Sequence, residues 1–444
     1  MVVELLIDKL VQGGDGLATH EGMKVFVPYS APQERVRARI VTQKRDYAVA
    51  EIEEVLEPSP LRVSAPCPYF GACGGCQLQH IAYQGQLVLK KLYVNETLQR
   101  IGRIFVPVRH VTVEAEPWHY RNKTQYPVGW TKNGMAVGFF KRGTHDLLDV
   151  PACLLHPVEF DRLRETMRAI FAAAGETGYD EAKHEGNIRH IVLRQGTQDG
   201  GLLAIVVTRT PELDPRAAQL IAEQPGVIGV AQSVVPARTN RIMGSQTRVL
   251  VGCGYVHQSV LDKTFRVSAP SFFQVNVGQA EELCRKILKH VAPKGDELVL
   301  DLYSGVGMIS LVVAPFVQQV TAIEADPTAV EDAMVNAQAQ AARNVEFVCS
   351  DVGRAISRVA STDVVILDPP RKGCPAETLR QIAALRPKRI IYVSCNPATL
   401  ARDLSTLEQL GYTTYEIEPV DMFPQTFHVE VIARLGPLGS ADEP

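Results

Sequence analysis

Three things are missing from this chain. No apolar run approaches the roughly 20 residues that a membrane-spanning helix requires, and the opening Met1-Val-Val-Glu-Leu-Leu-Ile-Asp8 has neither the basic start nor the long apolar stretch of a secretion signal. Neither charge is in excess: 46 Lys and Arg against 49 Asp and Glu leave a formal net charge of -3, so no global field draws the chain to nucleic acid. An even set of cysteines is also lacking; nine is a count that suits thiolate or metal chemistry better than a disulfide framework. A protein of the reducing cytoplasm is expected, with no membrane partner. At 46% apolar and 21% charged over 444 residues, the composition is globular, with length for two or three cores.

Positive charge is local instead. Arg35, Arg37, Arg39, Lys44 and Arg45 form one group, and Arg121, Lys123, Lys132, Lys141 and Arg142 a second. Either reads at least as well as a solvated face as it does as a nucleic-acid contact.

Residues 1–58 show short alternating strands punctuated by Gly13-Gly14-Asp15-Gly16, Glu21-Gly22 and Pro28, the pattern of a small β-barrel. After Pro58-Ser-Pro60 comes a cysteine-rich segment, and residues 59–264 mix β-like runs such as Arg189–Arg194 with helical ones such as Pro157–Ala174, an α+β domain. From 265 to 436, strands expected at 297–302, 319–324, 345–349, 363–367 and 389–394 alternate with helices at 327–342, 376–386 and 398–410, the signature of a doubly wound parallel sheet. Thr413–Pro419 and His428–Leu435 have no helix between them and should pair antiparallel at one edge; a loose tail should follow Gly436.

Absences also sharpen the motifs. The turn Asp301-Leu-Tyr303-Ser-Gly305-Val-Gly307, followed at the next strand end by Glu324, suits a nucleoside cofactor, with glycines for close backbone approach and a carboxylate for ribose hydroxyls. A third glycine is missing, which favours S-adenosylmethionine over a dinucleotide whose pyrophosphate needs a helix N-terminus. Asp368-Pro-Pro continues with Arg371-Lys372-Gly373 instead of the aromatic that stacks on a flipped base in amino-group methyltransferases, and no second cysteine stands there as in cytosine-5 enzymes.

Cys395, in Ser-Cys-Asn-Pro at a strand end and a helix start, reads as a nucleophile whose thiolate the helix dipole favours. Cys253, Cys284, Cys349 and Cys374 read as small packing residues. Cys67, Cys73 and Cys76 with the distant Cys153 suit four-thiolate coordination, with zinc and iron-sulfur both open. His428 and Glu430, two apart on one expected strand face, are candidate proton acceptors, and Glu430 leads an apolar run that buries it.

In combination these motifs resemble the RNA uridine-5-methyltransferases of the RumA and TrmA type, over nearly the whole chain. The resemblance implies a Rossmann-like S-adenosylmethionine-dependent methyltransferase domain, an N-terminal TRAM barrel of the OB type that binds RNA, and a central α+β domain in which Cys67, Cys73, Cys76 and Cys153 hold a 4Fe-4S cluster. It implies cofactor contacts from Gln274, Tyr303, Glu324 and Asp368, with Cys395 as nucleophile and Glu430 as general base. Its substrate would be RNA, 23S rRNA ahead of the T-loop of tRNA, with no obligate protein partner and a single-site monomer as the default. The chain departs from the family at Gln425, often His there, and at Met308, often Asn or Thr.

Overall fold

The computed structural model describes residues 1–131, 134–198 and 200–439, so Lys132 of the second basic group and the tail from 440 lie outside the described residues. The first six strands, Val2–Leu6, Lys9–Leu10, Gly16–His20, Met23–Val27, Arg35–Gln43 and Tyr47–Glu57, form one sheet. Val2–Leu6 is at one edge and Lys9–Leu10 at the other. Only Ile7 and Asp8 separate these two strands in sequence, so the sheet must curl until its edges meet. Inward Val3, Leu5, Ala18, Val25, Val27, Val36, Ala38 and Ala48 fill the interior, each alternating with an outward neighbour as a pleated strand requires.

A second sheet of seven strands holds the middle of the chain, in the order Gln246–Gly252, Val227–Val234, Leu202–Thr208, Ile188–Gln195, Lys123–Thr131, Gly134–Phe140 and Leu147–Asp149. Helices Val158–Ala173 and Pro215–Ala222 join its core through Phe160, Leu163, Met167, Phe171, Ala217 and Ile221. Leu202–Thr208 is buried at every position, which is why it reads as an unbroken apolar run.

The third sheet runs Val345–Cys349, Gln319–Glu324, Leu298–Leu302, Val364–Leu367, Arg389–Ser394, Glu430–Pro437, Tyr412–Val420. The first five strands are parallel, and the last two add antiparallel. Successive residues serve two cores: Val364 and Ile366 pack on one face, Val365 and Leu367 on the other. Each such buried side chain contributes about 1.5–3 kcal/mol of transfer free energy. Residues 83–112, grouped with the central region by the sequence reading, pack here instead: Val94, Leu98, Ile104 and Val108 join the core of the third sheet, and Val108 and Thr112 bridge to Ile417 and Val420 at its edge. The boundary expected at 264/265 falls inside the strand Lys263–Ser268.

Candidate active site

Parallel strands deliver their following residues to one edge of a sheet, and four site residues arrive that way. Tyr303 follows Leu298–Leu302 in a left-handed conformation (φ 64°), an unusual setting for a non-glycine residue, with Gly305 (φ 55°) and Gly307 (φ 80°) completing the turn. Glu324 closes Gln319–Glu324, and its carboxylate accepts from Gly305 N (3.0 Å), Ala325 N (2.7 Å) and Asp326 N (2.8 Å), tying two neighbouring turns together. Asp368 follows Val364–Leu367 and is held by Pro369 and Pro370. Cys395 follows Arg389–Ser394, and Asn396 caps the next helix by accepting from Ala398 N.

Glu430 comes from the opposite direction. The antiparallel register pairs Ser394 with Val431, so one step further along each strand stand Cys395 and Glu430. Gln274 joins from a segment whose backbone is held by Asn122: Asn122 Nδ2 donates to Gln274 O (3.0 Å) and Asn122 N to Val275 O (2.8 Å).

The four thiols occupy the facing wall. Gly74 N donates to Phe140 O (3.0 Å), and Cys73 bridges to Lys141, seating the Gly74-Gly75 turn on the central sheet. Cys153 is brought alongside by its own loop, where Asp161 accepts from its backbone N (3.4 Å). Gln425, one of the departures from the family pattern, links the two walls: its carbonyl accepts from Gln77 N (3.2 Å) and Leu78 N (3.0 Å), and its side chain from Gln86 Nε2 (2.9 Å). Met308, the other, is buried at a helix start. The outcome is one cavity of about 900 Å³ lined by Cys67, Cys73, Cys76, Cys153, Gln274, Tyr303, Glu324, Asp368, Cys395 and Glu430, the ten positions that the family resemblance implies.

Electrostatics in the floor differ from the expectation. The helix dipole does not leave Cys395 a thiolate at rest: burial and the adjoining Glu430, with Asp368 further off, push the thiol up to about 11, against a counter-pull from Arg371. Burial raises Asp368 to about 7, with the buried Asp301 adding to it. Burial, then Asp368, holds Glu430 well above the usual carboxylate range, again opposed by Arg371. Cys395 and Glu430, both pushed toward their neutral forms, thus share one cation, Arg371.

His428 does not lie on the strand, which begins at Glu430. It is half-buried against Phe427, with ring centroids 4.2 Å apart, and burial, with Arg371, Lys90 and Arg121 facing it, lowers it to about 4, too weak a base for this role. Cys284 and Cys374 are buried as expected, whereas Cys253 and Cys349 are exposed: Cys349 is the last residue of the edge strand Val345–Cys349, and Cys253 follows the edge strand Gln246–Gly252.

Sequence reasoning missed Arg371. Its signal was the residue after Asp-Pro-Pro, taken only as a missing aromatic. Its loop is clamped: Asn396 Nδ2 (3.1 Å) and Thr399 Oγ1 (3.2 Å) donate to Arg371 O, and Arg402 Nη2 donates to Lys372 O (3.0 Å). Gly373 (φ 73°) is needed there, since a Cβ would lie 2.4 Å from Asp403 Oδ2.

A seven-stranded sheet with its sixth and seventh strands antiparallel, and acidic side chains at successive carboxyl ends, defines an S-adenosylmethionine-dependent methyltransferase fold. Residues 240–435 match the family model described as tRNA (uracil-5-)-methyltransferase. An uncharacterized RNA methyltransferase of Halalkalibacterium halodurans is 41% identical over 98% of this chain and 96% of that protein, and one of Bacillus cereus 39% identical over 98% and 96%. Among solved structures, the Pyrococcus abyssi tRNA (uracil-54, C5)-methyltransferase in complex with S-adenosyl-L-homocysteine superposes with a TM-score of 0.76 at 28% identity, covering 98% of this chain and all of that one. The chain belongs to the RNA (uracil-5-)-methyltransferase family of the RumA and TrmA type. Among the described residues, no helix is long and apolar enough to cross a membrane.

Proposed function

We propose that this enzyme methylates carbon 5 of a specific uridine in RNA, with 23S rRNA as the first substrate to test, through a covalent Cys395 adduct. The observation that carries the reading is the convergence of all ten predicted side chains on one cavity. Carbon 5 of uracil is a weak nucleophile. Once its proton has passed to solvent, the Cys395 thiolate adds to carbon 6, making carbon 5 enolate-like and able to take a methyl group from a sulfonium, whose thioether then leaves. Glu430 in its ionised form, which Arg371 favours against burial, then removes the carbon 5 proton, the carbon 6–sulfur bond breaks, the double bond returns and Cys395 is released. S-adenosylmethionine, when bound, supplies the electrophilic methyl group and a positive charge beside these acids. Gln274, Tyr303, Glu324 and Asp368 would hold it. Because the target carbon is hidden in a stacked helix, the uridine must be flipped or lie in a loop.

The thiol wall fits a 4Fe-4S cluster. Among the described residues, metal-ligating atoms all within 4.8 Å of one another are found at His290, Glu416 and Glu418, where Lys286 and Lys289 already pair with Glu418. Four thiolates suit zinc and iron-sulfur alike, and it is the family resemblance that selects the cluster. Cys67, Cys73, Cys76 and Cys153 would hold the cluster, which supplies a rigid cross-link between the cysteine loop and the central sheet. The N-terminal barrel is read as a TRAM module that binds RNA, and a cytoplasmic location accompanies an RNA substrate.

The T-loop of tRNA is the second reading, favoured by the activity named for the Pyrococcus abyssi enzyme. The test is methyl transfer from labelled S-adenosylmethionine by anaerobically purified protein to unmodified ribosomal and transfer RNA, with nucleoside mass spectrometry and site mapping. 5-Methyluridine in ribosomal RNA is expected. 5-Methylcytidine or a methylated purine would overturn the roles given to Cys395 and Glu430.

A further inference from the structure

Lining or backing the cavity are three cations, Arg121, Lys123 and Arg194, none of which makes an ion pair with a carboxylate among the described residues. Lys123 opens the strand Lys123–Thr131, and the antiparallel register sets it directly across from Arg194, a placement in which like charges repel. Arg194 is fully buried; its Nη2 donates to Ser271 O (2.5 Å), and Asp332 answers its charge at longer range. Arg121 lines the cavity two residues before Lys123; its Nε donates to the Lys123 carbonyl at 3.5 Å, and its guanidinium also bonds the Tyr120 side chain, with no carboxylate paired to it among the described residues. The Lys123 ammonium itself has no hydrogen-bond or ion-pair partner among the described residues; burial, then Arg194 and Arg121, lowers it to about 7. Arg142 of the same basic group, by contrast, pairs with Asp15.

A cation kept half-buried against two others is costly unless an anion arrives. We propose that Arg121 and Lys123 form a binding site for a phosphodiester group of the RNA strand beside the flipped uridine. This deepens the RNA-methylating reading and rests on it. Two anions could reach this wall, an RNA phosphate and the carboxylate of the cofactor's methionine, since the Gln274 segment passes alongside. The phosphate is favoured by extent: Arg121 acts on His428 near the floor and is neighbour to Tyr120, which also feels Cys76 at the thiol wall. A positive stretch that reaches from one wall to the other follows a chain, not a single carboxylate.

The test uses full-length, anaerobically purified protein and a fluorescent RNA hairpin carrying the target uridine. Lys123→Gln should raise the Kd for RNA about tenfold and flatten the plot of log affinity against log salt by about 0.7 to 1. Its affinity for S-adenosylmethionine should be unchanged, and its Tm no lower than wild type, because a like-charge pair has been relieved. Lys123→Arg should restore RNA binding, and Arg121→Gln should flatten the salt dependence in the same way. An unchanged salt slope in both Gln variants overturns the site. So does weaker cofactor binding with RNA affinity intact, which assigns the wall to the cofactor carboxylate, or a fall in Tm that accounts for the lost affinity, which makes Lys123 structural. Wild-type protein that neither binds nor methylates RNA would sink the functional reading itself, whereas methylating wild type with indistinguishable variants sinks only this site.

Discussion

Cys395 and the quartet Cys67, Cys73, Cys76 and Cys153 line the same cavity, yet their surroundings differ in what answers a negative charge. Burial raises thiols at both ends, Cys395 to about 11 and Cys76 and Cys153 to about 12. At the floor a guanidinium and two carboxyls stand beside the sulfur. At the wall the charges next to Cys76 are those of the other three thiols. A thiolate that forms and disappears in each turnover needs a cation and a proton acceptor within reach. Thiolates that form once and stay need only a metal centre that binds four of them. The same residue type thus carries two expected behaviours, and substitutions at each end should separate them.

The largest effect should come from Cys395→Ala. Without the sulfur there is no adduct, and methyl transfer should fall at least about 10⁴-fold, while cofactor binding and the visible absorption of the iron-sulfur centre persist. Retained turnover would eliminate covalent catalysis. Glu430→Gln should slow the reaction about 10²- to 10⁴-fold in a different manner: methylation proceeds, release stalls, and an RNA–protein adduct that survives denaturation accumulates on gels. Slow turnover with no trapped adduct would count against Glu430 as the base.

At the wall the same atom change should act on stability first. Cys153→Ser removes a cluster ligand supplied from far along the chain, and should bleach the visible absorption and cost about 3 kcal/mol or more, as loss of a structural metal centre does. Activity should decline in step with the folded fraction, and any protein that stays folded should still form the Cys395 adduct with 5-fluorouridine RNA. If Cys153→Ser lost adduct formation at full stability, the two ends of the cavity would not be separable.

Most of the methyltransferase sheet was legible because each strand is an apolar run ended by a chemically distinctive turn; Glu324, Asp368 and Cys395 were found that way. Partners across strands were not. Arg35, Arg37 and Arg39 read as a basic group, but in the barrel they pair with Glu57, with Glu54 and Glu4, and with Glu51 and Glu53. The acids were visible in the sequence, yet three irregularities shift the register of Arg35–Gln43 against Tyr47–Glu57, so which acid meets which arginine could not be counted off. Lys123 shows the converse: its neighbours along the chain suggest a solvated lysine, and only the pairing with Ile188–Gln195 reveals Arg194 opposite. Residues 83–112 were misplaced for a related reason. The helix Tyr83–Thr97 docks on the far end of the chain, where Tyr83 and Lys90 bond Asp421, and nothing local announces that contact.

The finest test of the contrast lies in Arg371, the guanidinium that bears on both Cys395 and Glu430. It lowers the pKa of both Cys395 and Glu430 against the burial that raises them. Removing it should therefore leave both groups more fully protonated at neutral pH, the thiol less nucleophilic and the carboxyl a poorer acceptor. Since the thiolate fraction below the pKa falls tenfold for each unit of rise, Arg371→Gln should slow alkylation of Cys395 by iodoacetamide about tenfold at pH 8 and move its rate-against-pH curve to higher pH. Arg371→Lys should recover part of the loss. Exposed Cys253 and Cys349, read site by site by mass spectrometry in the same sample, supply an internal reference whose rates should not change. Equal alkylation of Cys395 with and without the guanidinium would mean that charge balance at the floor comes from elsewhere, and that the two ends of the cavity differ in geometry alone.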